Sequence, residues 1–116
     1  MGRSRMIRTL VGAALTVATL TASDHAMGYA LIGNGTLTCG AWSQARRDPQ
    51  GPATRMSEQW VVGFLSGIGS MVLGELDPLH GLQAEGVYDW MDNYCSAHPS
   101  ETIEAAARVF IQEHPR

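Results

Sequence analysis

The side chains that could act as nucleophiles or bases are scattered along the chain and form no catalytic motif. A serine nucleophile needs a base within hydrogen-bond reach and a third group that orients this base. Six serines follow residue 26, all inside or at the ends of predicted helices, and none sits in a Gly-x-Ser-x-Gly turn. His98 precedes Pro99 at a predicted helix start, where a capping role accounts for it. We therefore expect no catalytic residue and no enzymatic activity.

Three carboxylates lie at helical spacing on one predicted helix: Glu85, Asp89 and Asp92. Residues three and four positions apart share a helix face, so these side chains form one acidic strip. A strip of this kind is commonly a solvated face, and the functional alternative is a patch that binds a partner protein. A divalent metal site is a third alternative, but the sequence places no further ligand beside the strip. We treat the three as candidate partner-binding residues and expect no metal and no other cofactor.

The N-terminal segment has the layout of a secretory signal peptide. Three arginines precede residue 9 without an acid, an uncharged run covers residues 9–20, and small residues follow. An uncleaved membrane anchor is the alternative, for which the apolar run is short. We predict a signal peptide over residues 1–26 and a periplasmic protein. Cleavage is expected after Ala26, with Ala22 and Ala30 as the other candidate positions.

The chain that follows residue 26 is acidic. It holds five arginines, ten aspartates and glutamates and no lysine, which gives a net charge of about −5 with histidine neutral. Such a protein is repelled by nucleic acids and by anionic lipid surfaces. We therefore exclude both as partners, expect no stable membrane insertion after cleavage, and expect the partners to be other proteins.

Cys39 and Cys95 are the two cysteines of the chain. In an oxidising compartment, an even pair in a small domain favours a disulfide bond. The bond would close a loop of roughly 57 residues, for which the chain-entropy model gives about 4 kcal/mol of stabilisation. Two buried thiols are the alternative, and the pair lacks the closely spaced ligands of a zinc site.

An uncharged run over residues 60–74 dominates the predicted architecture. A helix that is apolar on every side is expected at the centre of a small domain, so we predict a central helix over residues 56–74. Fifteen residues span roughly 22 Å, which is short of the roughly 30 Å of a bilayer core, although a membrane hairpin is an alternative. Gly63 and Gly67 form a small-xxx-small pair, for which we expect a close approach by a neighbouring helix.

Breaker and capping signals predict four main helices, over residues 36–47, 56–74, 83–97 and from 98 onwards. The candidate caps are Thr36 or Thr38 for the first, Thr54 or Ser57 for the second, and His98 or Ser100 for the fourth. No run alternates with period two, so no sheet is expected. The prediction is an all-α fold in which residues 36–116 form a single helical domain after a flexible arm at 27–35.

Five aromatic residues are the expected core anchors: Trp42, Trp60, Phe64, Trp90 and Phe110. The three tryptophans lie on three different predicted helices, and each side chain can bury up to about 250 Å². Exposed tryptophans would instead indicate a binding surface.

Four stretches together carry a resemblance to a known family: residues 39–42 (CGAW), 60–67 (WVVGFLSG), 90–95 (WMDNYC) and 98–103 (HPSETI). The layout resembles the small exported helical proteins of proteobacteria that are grouped with the HdeA acid-stress chaperones. The resemblance implies an all-helical periplasmic domain that is pinned by a Cys39–Cys95 bond and binds other proteins.

The implied mechanism is a neutral-pH homodimer that dissociates in acid and offers apolar surface to unfolding proteins. With its carboxylates protonated and three histidines charged, the chain after residue 26 moves from about −5 to about +8. A looser resemblance is to the Tai-type immunity proteins, which block peptidoglycan amidases delivered by type VI secretion. On that alternative, the strip of Glu85, Asp89 and Asp92 faces a basic cleft of the toxin.

Overall fold

Four α-helices and one short 3-10 helix make up the regular structure in a computed structural model that describes residues 29–71 and 75–115. The 3-10 helix is Asn34–Thr36, and the α-helices are α1 (Cys39–Ala45), α2 (Pro52–Met71), α3 (Ala84–Ala97) and α4 (Ile103–Glu113). No strand occurs among the described residues beyond an isolated bridge between Thr38 and Thr102. The prediction of an all-α, four-helix fold is confirmed. The predicted signal peptide at 1–26 lies outside the described residues.

The core is assembled from one face of each helix. Its buried members are Cys39, Trp42, Val61, Leu65, Val87, Met91, Cys95, Ile103, Ala106, Ala107 and Phe110. The predicted disulfide is confirmed, because the sulfur atoms of Cys39 and Cys95 lie 2.09 Å apart inside this core. The bond ties the start of α1 to the end of α3.

Threonine side chains cap α1 and α4. The hydroxyl oxygens of Thr38 and Thr102 each accept a hydrogen bond from the backbone N–H three residues further on, at 3.1 and 3.0 Å. Thr38 was one of two candidates for α1, whereas the expected caps of the fourth helix, His98 and Ser100, are wrong. His98 instead ends α3, with its Nδ1 atom 2.9 Å from the carbonyl oxygen of Tyr94.

The beginnings of α1 and α4 satisfy each other's backbone groups. The N–H of Cys39 donates to the carbonyl of Glu101 at 2.7 Å, and the N–H of Ile103 donates to the carbonyl of Leu37 at 2.8 Å. The first amides of a helix have no partner within the helix itself. This reciprocal pairing explains why α4 begins after Thr102 and not at His98.

Helix α2 is only half buried, so the prediction of a helix covered on every side is wrong. Its buried residues are Thr54, Ser57, Val61 and Leu65, whereas Gly63 and Gly67 are exposed. A Cβ atom added at either glycine would meet nothing within 4 Å, so no described helix approaches them closely. The outer side of the run consists largely of glycine and serine, which lose little hydrophobic free energy by facing water. None of the described helices has both the length and the apolar character needed to cross a bilayer.

The start of α2 also differs from the prediction. The helix begins at Pro52, so the candidate caps Thr54 and Ser57 lie inside its first turns, where both are buried. The Thr54 hydroxyl donates to the carbonyl of Ala45 at 2.6 Å, at the end of α1. Ser57 accepts a hydrogen bond from the side-chain amide of Asn34 at 3.1 Å. Both hydroxyls therefore join α2 to other segments.

The described part of the predicted flexible arm is packed against the helices. Residues 29–33 have no regular structure and lead into the 3-10 helix, which contacts α2 and α4. Gly35 is buried. We expect a loose arm from its glycines and its lack of periodicity. In the structure, Gly33 and Gly35 instead allow the segment to lie close to the ring of Trp60 in α2.

Candidate functional site

The five expected core anchors divide into two groups. Trp42 and Phe110 are core residues with 1% of their surface exposed. Trp60, Phe64 and Trp90 are only partly buried and pack against the core from outside. Trp60 and Phe64 both belong to α2, and they face the same side as its exposed glycines.

The rings of Trp60 and Phe64 stack on one another, and we call this aromatic pair the Trp60 shelf. The ring centroids are 5.1 Å apart and the ring planes differ by 12°. Residues 29–36, which we call the strap, cross this shelf. The indole N–H of Trp60 donates to the backbone carbonyl of Ile32 at 2.9 Å. The backbone of the strap thus contacts the indole of Trp60, whereas Ile32 itself is 85% exposed.

Two glycines allow the strap to approach Trp60. Gly33 has φ of 95°, a conformation that favours glycine, and a Cβ added there would lie 2.8 Å from Cδ1 of Trp60. A Cβ added at Gly35 would overlap the six-membered ring of the same indole. Both positions therefore exclude any larger residue as long as the strap lies on the shelf.

The end of the strap is held by a cluster of Tyr29, Glu104 and Arg108. The Tyr29 hydroxyl donates to Glu104 at 3.1 Å and accepts from Arg108 at 2.7 Å, and Arg108 forms an ion pair with Glu104. The Arg108 guanidinium lies 5.2 Å from the centre of the Tyr29 ring and 5.8 Å from that of Phe64. The hydrogen bond with Glu104 raises the pKa of Arg108. Glu104 and Arg108 lie at (i, i+4) spacing, which was a readable signal that the sequence analysis missed.

The shelf continues into an exposed, uncharged side of α2, which we call the open face: Gly63, Ser66, Gly67, Ser70 and Met71. Trp60, Gly63, Gly67 and Met71 follow one another at three- and four-residue steps, so they share a side of the helix. Met71 is 81% exposed. Most members of the open face are small, so a second helix or an extended chain could approach it closely at Gly63 and Gly67.

The structure divides the predicted acidic strip. Asp92 accepts hydrogen bonds from the indole of Trp42 at 2.8 Å and from two nitrogens of Arg46 at 2.8 and 2.9 Å. Arg46 also forms an ion pair with Glu58 of α2, so this one guanidinium connects α1, α2 and α3. The hydrogen bond with Asp92 raises the pKa of Arg46. Arg46 lies four residues after the buried Trp42, but the sequence analysis did not foresee its ion pairs.

Glu85 and Asp89 are exposed and make no ion pair among the described residues. They border an open cleft of about 540 Å³ between the beginnings of α2 and α3. Its lining residues are Arg46, Pro49, Gln50, Arg55, Glu58, Gln59, Glu85, Tyr88 and Asp89. Burial raises the pKa of Tyr88 on this wall. The cleft therefore offers two available carboxylates beside charged groups of both signs.

Trp90 connects α3 to α4 at the other edge of the core. Its ring stacks on Tyr94 with a centroid distance of 5.0 Å and meets Phe110 edge-on at 5.2 Å. Its indole N–H donates to Glu113 at 2.9 Å. Tyr94 in turn stacks on His98 at 4.1 Å. This arrangement accounts for Trp90 and His98 as packing residues of the domain.

Within residues 29–71 and 75–115, no group of three or more histidine, cysteine, aspartate or glutamate side chains could hold a metal ion. Comparisons with protein-family models, with curated proteins and with solved structures found no match to this chain.

Proposed function

We propose that this protein is an exported, non-enzymatic domain that binds other proteins, and that it acts as an acid-stress chaperone in the periplasm. The observation that carries the proposal is the Trp60 shelf together with the open face. From Trp60 to Met71 no residue is charged, and one side of this helix faces solvent. Exposed Met71 at one end of this side and the aromatic rings at the other supply apolar surface, which supports a protein-interaction site.

The charges of the chain support the acid response. In acid the chain after residue 26 would move from about −5 to about +8, which disfavours compact and dimeric states by self-repulsion. Arg46 joins three helices through its ion pairs with Asp92 and Glu58, so the fold depends on opposite charges meeting at this point. Self-repulsion in acid would loosen the domain and enlarge its exposed apolar surface.

The test is suppression of client aggregation at about pH 3 and at pH 7 by the chain that begins at residue 27. We expect suppression and increased binding of a hydrophobic dye in acid only. A Gly67→Lys variant places a fixed positive charge on the open face, where nothing lies within 4 Å, and is expected to lose most of the suppression. Gly86→Lys, at an exposed glycine of α3, is the matched control and should act like the original chain. Equal aggregation with and without the protein at every pH would remove the proposal.

A second candidate function, binding and blocking of a secreted peptidoglycan amidase, is favoured by the cleft beside Glu85 and Asp89. These carboxylates are exposed and are not used inside the described structure. This function predicts a tight complex at pH 7 that weakens in Glu85→Lys and Asp89→Lys, whereas Glu75→Lys has no effect. Asp92→Lys is unsuitable because it would set a second cation against Arg46. Capture of partners from periplasm at pH 7 and at pH 3 separates the two functions.

A further inference from the structure

The strap lies on the Trp60 shelf in the manner of a bound peptide. It contributes a backbone carbonyl to the indole N–H and the bare backbone of two glycines to the ring face. Of its two large aliphatic residues, Leu31 is partly buried and Ile32 is 85% exposed, and Tyr29 is 47% exposed. The contacts of the strap with the indole of Trp60 are made by its backbone.

The features that hold the strap against the shelf are not peculiar to its sequence. Every peptide bond carries a carbonyl that the indole of Trp60 could bond, and small residues occur in most unfolded proteins. The sequence-specific parts are the contact of Tyr29 with Glu104 and Arg108 and the hydrogen bond from the Asn34 amide to Ser57, and neither involves the indole of Trp60. The shelf consequently distinguishes chain conformation and residue size more than residue identity.

We propose that the Trp60 shelf is a binding site for an extended segment of another polypeptide, with small residues two positions apart, and that the strap occupies this site in the resting protein. The inference rests on the proposed function and specifies its contact: the occupant is an unfolded client segment that replaces residues 29–36.

Covalent attachment makes the strap a strong competitor for the site. A short tether presents its end at an effective concentration in the millimolar range, so a free peptide of similar intrinsic affinity is largely excluded. A change that lifts the strap and leaves the shelf intact should therefore increase peptide binding without any new contact being made.

Gly35→Ala is that change, because the added methyl group would overlap the ring of Trp60. Gly86→Ala on α3 is the matched control, since a Cβ atom there makes only an ordinary contact, 3.9 Å from Leu82. The probe is a fluorescent synthetic peptide of residues 29–37, measured by anisotropy at pH 7. We expect Gly35→Ala to bind this peptide at least about tenfold more tightly than the original chain or Gly86→Ala. A peptide with valine at positions 33 and 35 should not bind.

Two further variants cover other outcomes. Gly33→Ala strains the strap at φ of 95° and also crowds Trp60. If circular dichroism shows that Gly35→Ala does not fold, peptide binding is measured with Gly33→Ala in its place. Trp60→Ala in the Gly35→Ala background removes the shelf and should abolish the binding. Peptide binding that is equal in all variants overturns the proposal. A Gly35→Ala chain that is folded and binds no peptide also overturns it.

The peptide measurement is independent of the chaperone assay. If Gly35→Ala binds the peptide but no variant suppresses aggregation, the shelf is a peptide-binding site and the proposed chaperone function is wrong. If the original chain suppresses aggregation but neither Gly35→Ala nor Gly33→Ala binds the peptide, the chaperone function is retained and the proposal of a peptide site at the shelf is wrong.

Discussion

Two nitrogens of Arg46 donate hydrogen bonds to the two carboxylate oxygens of Asp92, and this pair connects the end of α1 to α3. Asp92 also accepts the indole N–H of Trp42, so it serves the interior of the molecule while Asp89, three residues earlier, faces the cleft. Two carboxylates that look equivalent in the sequence should therefore respond differently to the same substitution.

Asp92→Asn is expected to lower the free energy of unfolding by about 1 to 2 kcal/mol, because charge-assisted hydrogen bonds to Arg46 and Trp42 are weakened in a half-exposed setting. Asp89→Asn should change it by less than about 0.5 kcal/mol. Urea unfolding at pH 7 measures both values. Equal effects of the two substitutions would mean that the ion pair contributes nothing to stability.

Thr102→Ala should destabilise the protein by about 1 kcal/mol through loss of the α4 cap, and Ser100→Ala should be close to neutral. The comparison is direct because both residues precede the same helix and both substitutions remove one hydroxyl group. Thermal or urea unfolding gives the values. A larger loss for Ser100→Ala would place the cap two residues earlier than the structure does.

The pKa of Tyr94 is raised, first by its hydrogen bond to Glu101 and then by burial. A raised pKa in the folded state means that the stabilisation is complete below the ordinary tyrosine pKa and is lost as the pH rises towards the folded value. The free energy of unfolding should therefore decline above about pH 10. Tyr94→Phe should show a shallower decline in urea unfolding between neutral and alkaline pH. Identical slopes would exclude this role for Tyr94.

The joint substitution Cys39→Ser with Cys95→Ser should lower the free energy of unfolding by about 4 kcal/mol, because the bond closes a long loop in the unfolded chain. Urea unfolding of the oxidised chain, with the substituted chain as its reference, gives the difference. Adding reductant should destabilise the original chain to a similar extent and leave the substituted chain unchanged.

The helix pattern and the disulfide could be predicted because both depend on local or compositional signals. Apolar residues at three- and four-residue steps mark α1, α3 and α4, and two cysteines in a small domain allow a single pairing. The burial of α2 could not be predicted from the absence of charge, because glycine and serine are uncharged and yet lose little by facing water.

The contacts of the strap could not be predicted for a different reason. Gly33 and Gly35 meet the ring of Trp60 across more than twenty intervening residues, and no local pattern connects them. The cap at Thr102 is likewise decided by its bridge to Thr38, which lies far away in the sequence. The ion pairs of Arg46 could have been predicted in part. Arg46 lies four residues after Trp42, on the side of the helix that faces the core, and an arginine there needs a carboxylate partner.

The order of the two cysteines bears on how the domain is completed. Cys39 lies near the beginning of the domain and Cys95 follows 56 residues later, in the last turn of α3. A chain that crosses a membrane N-terminus first would present a lone thiol until most of the domain has emerged. The disulfide could form only after α3 had crossed the membrane. On the proposed export, oxidation would therefore be a late step in the folding of the domain.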